Sequence, residues 1–290
     1  MEKCPLCESK NLELWKKGKI ESVGVEEFKI TDHQYGKHWD LLRCRDCEFI
    51  FSDPFPPVEI SKIYESIVDP EYVEEEEGRG GNFRSILKTL DRILKDKGSF
   101  LDVGSATGIM MNLAKSYGWD VYGVELSKWA VDEAKRRYGI EIIQGDFLEV
   151  ELTENFFKVV CLIDIIEHVS NPKEVIGKVW RILERGGVAV LVTPDIKSFT
   201  AKVMGEKWWH FRPAHIGFFS KKPLFYLLRS KGFEIVKLKR YKWRFSLYYI
   251  ASRIKLLNKI ANSRFLKPIF KRIPIILPLM DSLEVYARKI

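Results

Sequence analysis

Glutamine is nearly missing from this 290-residue chain, which holds two, and cysteine is sparse at five. So few cysteines exclude a disulfide-knit scaffold. Four of them form two Cys-x-x-Cys pairs and the fifth, Cys161, sits in an apolar run, which suits a reducing cytoplasm. No apolar stretch reaches the ~18 residues of a membrane span, and the amino terminus has no signal-peptide core. Scarce glutamine beside abundant Lys, Glu and Ile is a composition of heat-adapted proteins. A hydrophobic content of 46% suffices for one large α/β domain and a small module. Charge is unevenly spread. Residues 197–290 carry 22 Lys/Arg against 4 Asp/Glu, and the rest carry 26 against 36. The basic end points to an anionic partner such as a nucleotide-sugar, lipid headgroup or nucleic acid, or else to a merely solvated surface.

Residues 99–108 are the most informative run. Phe100, Leu101 and Val103 read as a buried strand that breaks at Gly104. Gly108 then opens an apolar-periodic helix (Ile109, Leu113, Tyr117) ended by Gly118. Such a turn lets the backbone approach a ligand and aims helix N–H groups at negative charge. The next strand, Asp120 to Val124, ends in Glu125, placed to take a ribose diol. Taken alone, this pattern also fits a nicotinamide site. Asp102, inside the first strand, can attract a cationic ligand tail. Asp146 and Phe147 close a third strand, an acid for an adenine amine and a ring beside the base. Asp164 closes a fourth and precedes Ile165-Ile166-Glu167-His168. Leu183-Glu184-Arg185-Gly186-Gly187 turns a helix into the strand Val188 to Val192.

In this order and spacing, the motifs resemble those of the class I S-adenosylmethionine-dependent methyltransferases, over about residues 100–240. Ala106 stands where many members have glycine, and is small enough to leave the turn open. The resemblance implies a Rossmann-like seven-stranded α/β core and S-adenosyl-L-methionine as cofactor. Asp102, Gly104 and Gly108 would hold its methionine part, Glu125 the ribose, Asp146 and Phe147 the adenine, with Asp164 at the crevice. His168 is the candidate general base, since an imidazole titrates near neutrality, and Glu167 can orient it. A Glu-His pair recurs here in methyltransferases of sugars and quinones. His215 matches a histidine often seen before a Phe-Ser helix start in this group, and ranks above His210 as an acceptor-pocket residue. A zinc site on these histidines is not expected, for want of a nearby third ligand.

Cys4-Pro5-Leu6-Cys7 and Cys44-Arg45-Asp46-Cys47 are knuckles whose four thiolates favour one structural Zn2+. They define a zinc-ribbon-like module over 1–57, with strands expected at 26–31 and 39–43. The module and its proline-rich exit resemble those ahead of sugar and glycan methyltransferases, among them the deoxysugar C-methyltransferases. Residues 58–82 read as a connecting or lid segment bearing Tyr64 and Tyr72. The methyltransferase domain takes 83–290, its first helix expected from Phe83 to Lys95.

Residues 242–281 are an insertion before the last strand, with Leu247, Ile250, Ile254, Leu257 and Ala261 at helical spacing among basic residues. It reads as a basic amphipathic cap resting on an anionic membrane, or as a face packed on the core or on a second subunit of a homodimer. The leading expectation is methyl transfer to a sugar, nucleotide-sugar or lipid-linked glycan, in the cytoplasm or at the inner membrane face. The alternatives are an RNA methyltransferase gripping phosphates with its basic third, and a binding protein that keeps the fold without turnover.

Overall fold

A computed structural model of the chain describes residues 2–20, 23–29, 31, 35–55, 59–254 and 257–290. The expected module boundary at residue 57 lies outside the described residues. Seven strands form the central sheet: β1 (Ser99–Val103), β2 (Asp120–Glu125), β3 (Ile143–Gln144), β4 (Phe157–Ile163), β5 (Leu183–Pro194), β6 (Phe233–Arg240) and β7 (Ser282–Lys289). Their order is β6-β7-β5-β4-β1-β2-β3. The first five are parallel, and β7 runs antiparallel between β5 and β6. This is the α/β class read from the sequence. Val159, Val160, Cys161 and Leu162 are fully buried, as a strand covered by helices on both faces requires.

Helices α1 (Glu76–Ile93), α2 (Ile109–Ser116), α3 (Lys128–Tyr138), α4 (Pro172–Ile182) and α5 (Lys221–Ser230) pack around the sheet. The Ser127 hydroxyl caps α3 by accepting from the Ala130 N–H at 3.2 Å. Asn171 caps α4 in the same way through Glu174, with Pro172 at the first helical position. α1 begins at Glu76 rather than near Phe83. Gly78, Gly80 and Gly81 mask it, because glycine disfavours helix interiors. Close packing explains Gly78: a Cβ there would lie 2.9 Å from the Arg244 carbonyl oxygen and the Phe245 Cα.

The amino-terminal strands Leu12–Lys16, Asp40–Cys44 and Ile50–Asp53 form an antiparallel sheet whose fourth strand, Gly217–Phe218, comes from the segment after β5. Ile50 pairs with Phe218 and Phe51 with Gly217. Phe49 packs on Phe219 at 4.8 Å. Where a strand is expected from 26, the described residues make a 3-10 turn, Val25–Phe28.

Short helices Ile60–Glu65 and Pro70–Glu74 precede α1. The insertion pairs strand Trp243–Ser246 with Pro274–Leu277, and among the described residues three helices lie between them: Leu247–Ser252, Asn258–Ala261 and Leu266–Arg272. Glu75 accepts from the Ser246 N–H at 3.1 Å, and Lys267 reaches Glu74 at 2.9 Å. Among the described residues, no helix is long and apolar enough to cross a membrane.

Candidate active site

The carboxyl ends of β1, β2 and β4 open into a cavity of about 790 Å³, covered by the two short helices and by the insertion. That volume falls within the ~300–1,000 Å³ typical of small-molecule sites. Asp102, Gly104, Glu125, Asp146, Phe147, Asp164, Glu167, His168 and His215 all line it. Gly108, the first residue before α2, has φ +76° and its N–H is taken by the Ser105 carbonyl. It shapes the turn without lining the cavity. Gly104 has φ +67°, and a Cβ there would lie 2.2 Å from Ile165. Only glycine lets the chain leave β1 in this direction.

At one end stand the acids of β1, β2 and the loop after β3. Asp102 is 4% exposed, and burial, with Glu125 nearby, raises its pKa to about 8. Glu125 takes the N–H groups of Ala106 at 2.8 Å and Ser127 at 2.9 Å, which fixes its carboxylate beside the glycine turn. Burial raises it, and those N–H groups oppose the shift. Asp146 accepts from the Leu148 N–H at 2.8 Å and from the Ser61 hydroxyl at 2.9 Å, tying the loop to helix Ile60–Glu65. The Phe147 ring carries the Lys178 ammonium 5.1 Å from its centre. This set offers a carboxylate to a cation, another to a diol and a third beside an aromatic ring. That is the chemistry of an amino-acid-bearing nucleoside.

At the other end lies a carboxyl–imidazole cluster. Asp164 takes a left-handed conformation (φ 54°) at the end of β4. Its Oδ1 is buried without a partner. Burial raises it to about 6, with His210 and Arg79 pulling the other way. Glu167 receives the Thr193 hydroxyl at 2.9 Å on Oε2, while Oε1 is bare and buried. Burial, aided by Asp164, pushes Glu167 well up, favouring its protonated form. His168 Nδ1 lies 2.8 Å from the Ala214 carbonyl and 2.9 Å from the Tyr64 hydroxyl. Its ring meets that of His215 edge-on at 4.7 Å. Ligand atoms of Glu167, His168 and His215 all lie within 4.8 Å of one another. The sequence sets Glu167 beside His168, and the fold adds His215 to the pair; His210 is not in this trio. His210 sits behind, stacked on His215 at 5.5 Å and bonded to Asp281 at 3.2 Å.

Several lining residues escaped sequence reasoning. Arg79, Tyr241, Trp243, Arg244, Phe245 and Tyr249 also face the cavity. The rings of Trp243 and Phe245 stack at 5.8 Å, and those of Phe245 and Tyr249 at 4.9 Å. The period-two placement of Trp243 and Phe245 is the one signal that could have marked them as a strand face.

Away from the cavity, Cys4 Sγ lies 3.6 Å from Cys47 Sγ, and Cys7 Sγ 3.5 Å from Cys44 Sγ. All four sulfurs fall within 4.8 Å. An ion held tetrahedrally at ~2.3 Å would set its sulfurs ~3.8 Å apart, so the thiols are gathered at metal-binding separation.

A family model described as a methyltransferase domain matches residues 75–238, from α1 through most of β6. The chain belongs to the methyltransferase-domain family. It is 28% identical over 158 residues to an uncharacterised protein of Methanocaldococcus jannaschii, covering 53% of this chain and 73% of that one. It is also 28% identical over 147 residues to a ubiquinone biosynthesis O-methyltransferase of Psychrobacter cryohalolentis, covering 47% of this chain and 57% of the relative. The chain thus spans little more than half the length of that enzyme. A SAM-dependent methyltransferase from Archaeoglobus fulgidus shares the fold with a TM-score of 0.54 at 17% identity, over 76% of this chain and all of that one. The methyltransferase is an enzyme of S-adenosylmethionine-dependent methyl transfer, and the acid set at the ends of β1 and β2 has the chemistry to hold that donor.

Proposed function

We propose that this methyltransferase alkylates an oxygen or carbon of a sugar, a nucleotide-sugar or a lipid-linked glycan. One observation carries the reading: a single cavity joins the acids Asp102, Glu125 and Asp146 to a carboxyl–imidazole cluster in which His168 is held through Nδ1 by the Ala214 carbonyl. S-adenosylmethionine supplies a methyl group already activated by its sulfonium. What remains for the protein is alignment and removal of the acceptor's proton. Asp102 draws the donor's ammonium, Glu125 its ribose, and Asp146 with Phe147 its adenine. His168 takes the acceptor's proton at Nε2, Glu167 orients the acceptor hydroxyl, and His215 backs the His168 ring. The Glu-His pair in this position supports a sugar or quinone type of acceptor over an exocyclic amine.

In the same reading, residues 1–57 form a zinc module in which Cys4, Cys7, Cys44 and Cys47 hold one structural Zn2+. Residues 58–82 act as a cover, with Tyr64 bonded to His168, and residues 83–290 carry the chemistry. All five cysteines are unpaired, which fits a reducing cytoplasm. The test is transfer of radiolabelled methyl from S-adenosylmethionine to fractionated cell material. Label in glycan, nucleotide-sugar or glycolipid fractions is expected. Label confined to RNA would overturn the acceptor class.

A further inference from the structure

The insertion between β6 and β7 turns two apolar faces in opposite directions. Along Pro274–Leu277 and the residues that follow, alternate positions separate cleanly. Leu277 and Leu279 line the acceptor cavity, whereas Pro274, Ile276, Pro278 and Met280 are exposed. One strand therefore separates the site of chemistry from the outer surface. The insertion has its own small core of Tyr248, Ala251 and Ala261, with Phe270 packed against it. The outward apolar residues are surplus to that core. Phe265 is 82% exposed, Ile269 54% and Ile276 52%, and Ile254, Leu257, Ile260 and Ile273 are also open to solvent. Helix Phe199–Met204 adds Phe199, 79% exposed, and Val203, 69% exposed. Thr200 ties this helix to the Leu279 carbonyl.

Charge within the insertion has one sign, and part of it, on Arg253, Lys267 and Lys271, is met by Glu71 and Glu74 of helix Pro70–Glu74. From Leu247 to Met280 the sequence has no Asp or Glu, while Lys259, Arg264 and Arg272 are exposed among the apolar residues. So many exposed apolar residues interspersed with cations are a liability in water. It matches an anionic bilayer, whose headgroups take the cations while the apolar residues enter the interface. A short helix with prolines at 268, 274 and 278 around it cannot cross the bilayer and lies on it.

We propose that this face, centred on Phe265, Ile269 and Ile276, docks the enzyme on an anionic membrane surface, and that the acceptor is a lipid-linked glycan entering the cavity beside the Leu277–Leu279 wall. The docking rests on the surface alone. The acceptor assignment rests on the methyl-transfer reading above.

Sedimentation of the full chain with vesicles tests the docking, using phosphatidylcholine alone and phosphatidylcholine with one-third phosphatidylglycerol, at low and high salt. Binding to the anionic vesicles is expected to exceed that to neutral ones at least ~10-fold, since each basic residue near the surface contributes about fivefold. High salt should weaken it without abolishing it, because the apolar part is unscreened. Phe265→Glu with Ile269→Glu, at exposed positions, should lower binding at least ~10-fold. Retained S-adenosylhomocysteine affinity reports that the variant is folded. Failure of the folded wild-type protein to bind anionic vesicles, or equal binding by the variant, would overturn the docking. A dimer in solution that the variant dissolves, without vesicle binding, would assign the face to a second copy instead. Loss of S-adenosylhomocysteine binding by the wild type would remove the methyl-transfer reading and leave the vesicle result standing.

Discussion

His168 Nδ1 lies 2.8 Å from the carbonyl oxygen of Ala214. A carbonyl only accepts, so that nitrogen carries the proton and Nε2 is left as the basic atom. Burial, reinforced by Arg212, pulls the imidazole down to about 3. The ring is therefore neutral, with one tautomer, across the physiological range. His168→Ala should slow methyl transfer ~10²–10⁴-fold, the usual contribution of a positioned base, with S-adenosylhomocysteine affinity unchanged. The acid limb of kcat/KM in the wild type should lie well below pH 6.5. Single-turnover rates near wild type in the variant would remove His168 from the proton transfer.

The cavity's titrating groups set opposing pH slopes for the ligand-free protein. Asp102 is raised to about 8 from an ordinary 3.8. Between those values the folded chain holds a proton that the unfolded chain has released, so stability rises as pH falls from 9 toward neutral. His168 and His215 are depressed from 6.5. Below that value the unfolded chain takes protons that the fold refuses, and stability declines. Glu167 and Asp164, also raised, hold protons in the same range and offset that decline, so the melting temperature should climb from pH 9 to 7 and level off below it. Asp102→Asn should raise it at pH 9, where the charged buried carboxylate costs on the order of a few kcal/mol, and leave it little changed at pH 6. A melting temperature that does not climb between pH 9 and 7, or no gain in the variant at pH 9, would contradict this assignment.

Metal should hold the amino-terminal module to the core. One Zn2+ per chain is expected by elemental analysis. Chelation or Cys44→Ser should lower the melting temperature by several degrees, because binding at such a site is folding free energy. The loss should reach beyond the module, since Ile50 and Phe51 pair with Phe218 and Gly217 ahead of α5. Increased amide exchange at 217–219 on chelation reports this spread. Exchange confined to residues 2–53 would show a module that melts alone.

Local signals made most of the core legible. The buried run of β4, the Ser127 and Asn171 caps and the glycines at 104 and 108 each act within a few residues, so the sequence displays them directly. Pairings between distant segments were not displayed. Nothing local in Gly217-Phe218 announces a strand partner for Ile50-Phe51, and a pair of residues gives no periodicity to read. The sequence places the start of α1 near Phe83 because Gly78, Gly80 and Gly81 are poor helix formers. For Gly78 and Gly81 the reason, the close passage of Arg244, lies more than 150 residues away. At the cavity, the chain order showed Glu167 beside His168, but only the fold brings His215 within reach of both. Arg79 and the Trp243–Phe245–Tyr249 rings reach the same space from two further segments.

The central claim is that Asp102, Glu125 and Asp146 bind the methyl donor in the cavity that His168 faces. Calorimetric titration of the ligand-free protein with S-adenosylmethionine tests it most directly. Saturable binding at one site per chain is expected, weakened at least ~30-fold by Glu125→Ala, which deletes a charged hydrogen-bonding partner, and unaffected by His168→Ala. No binding by the folded protein, or equal affinity in Glu125→Ala, would contradict the account.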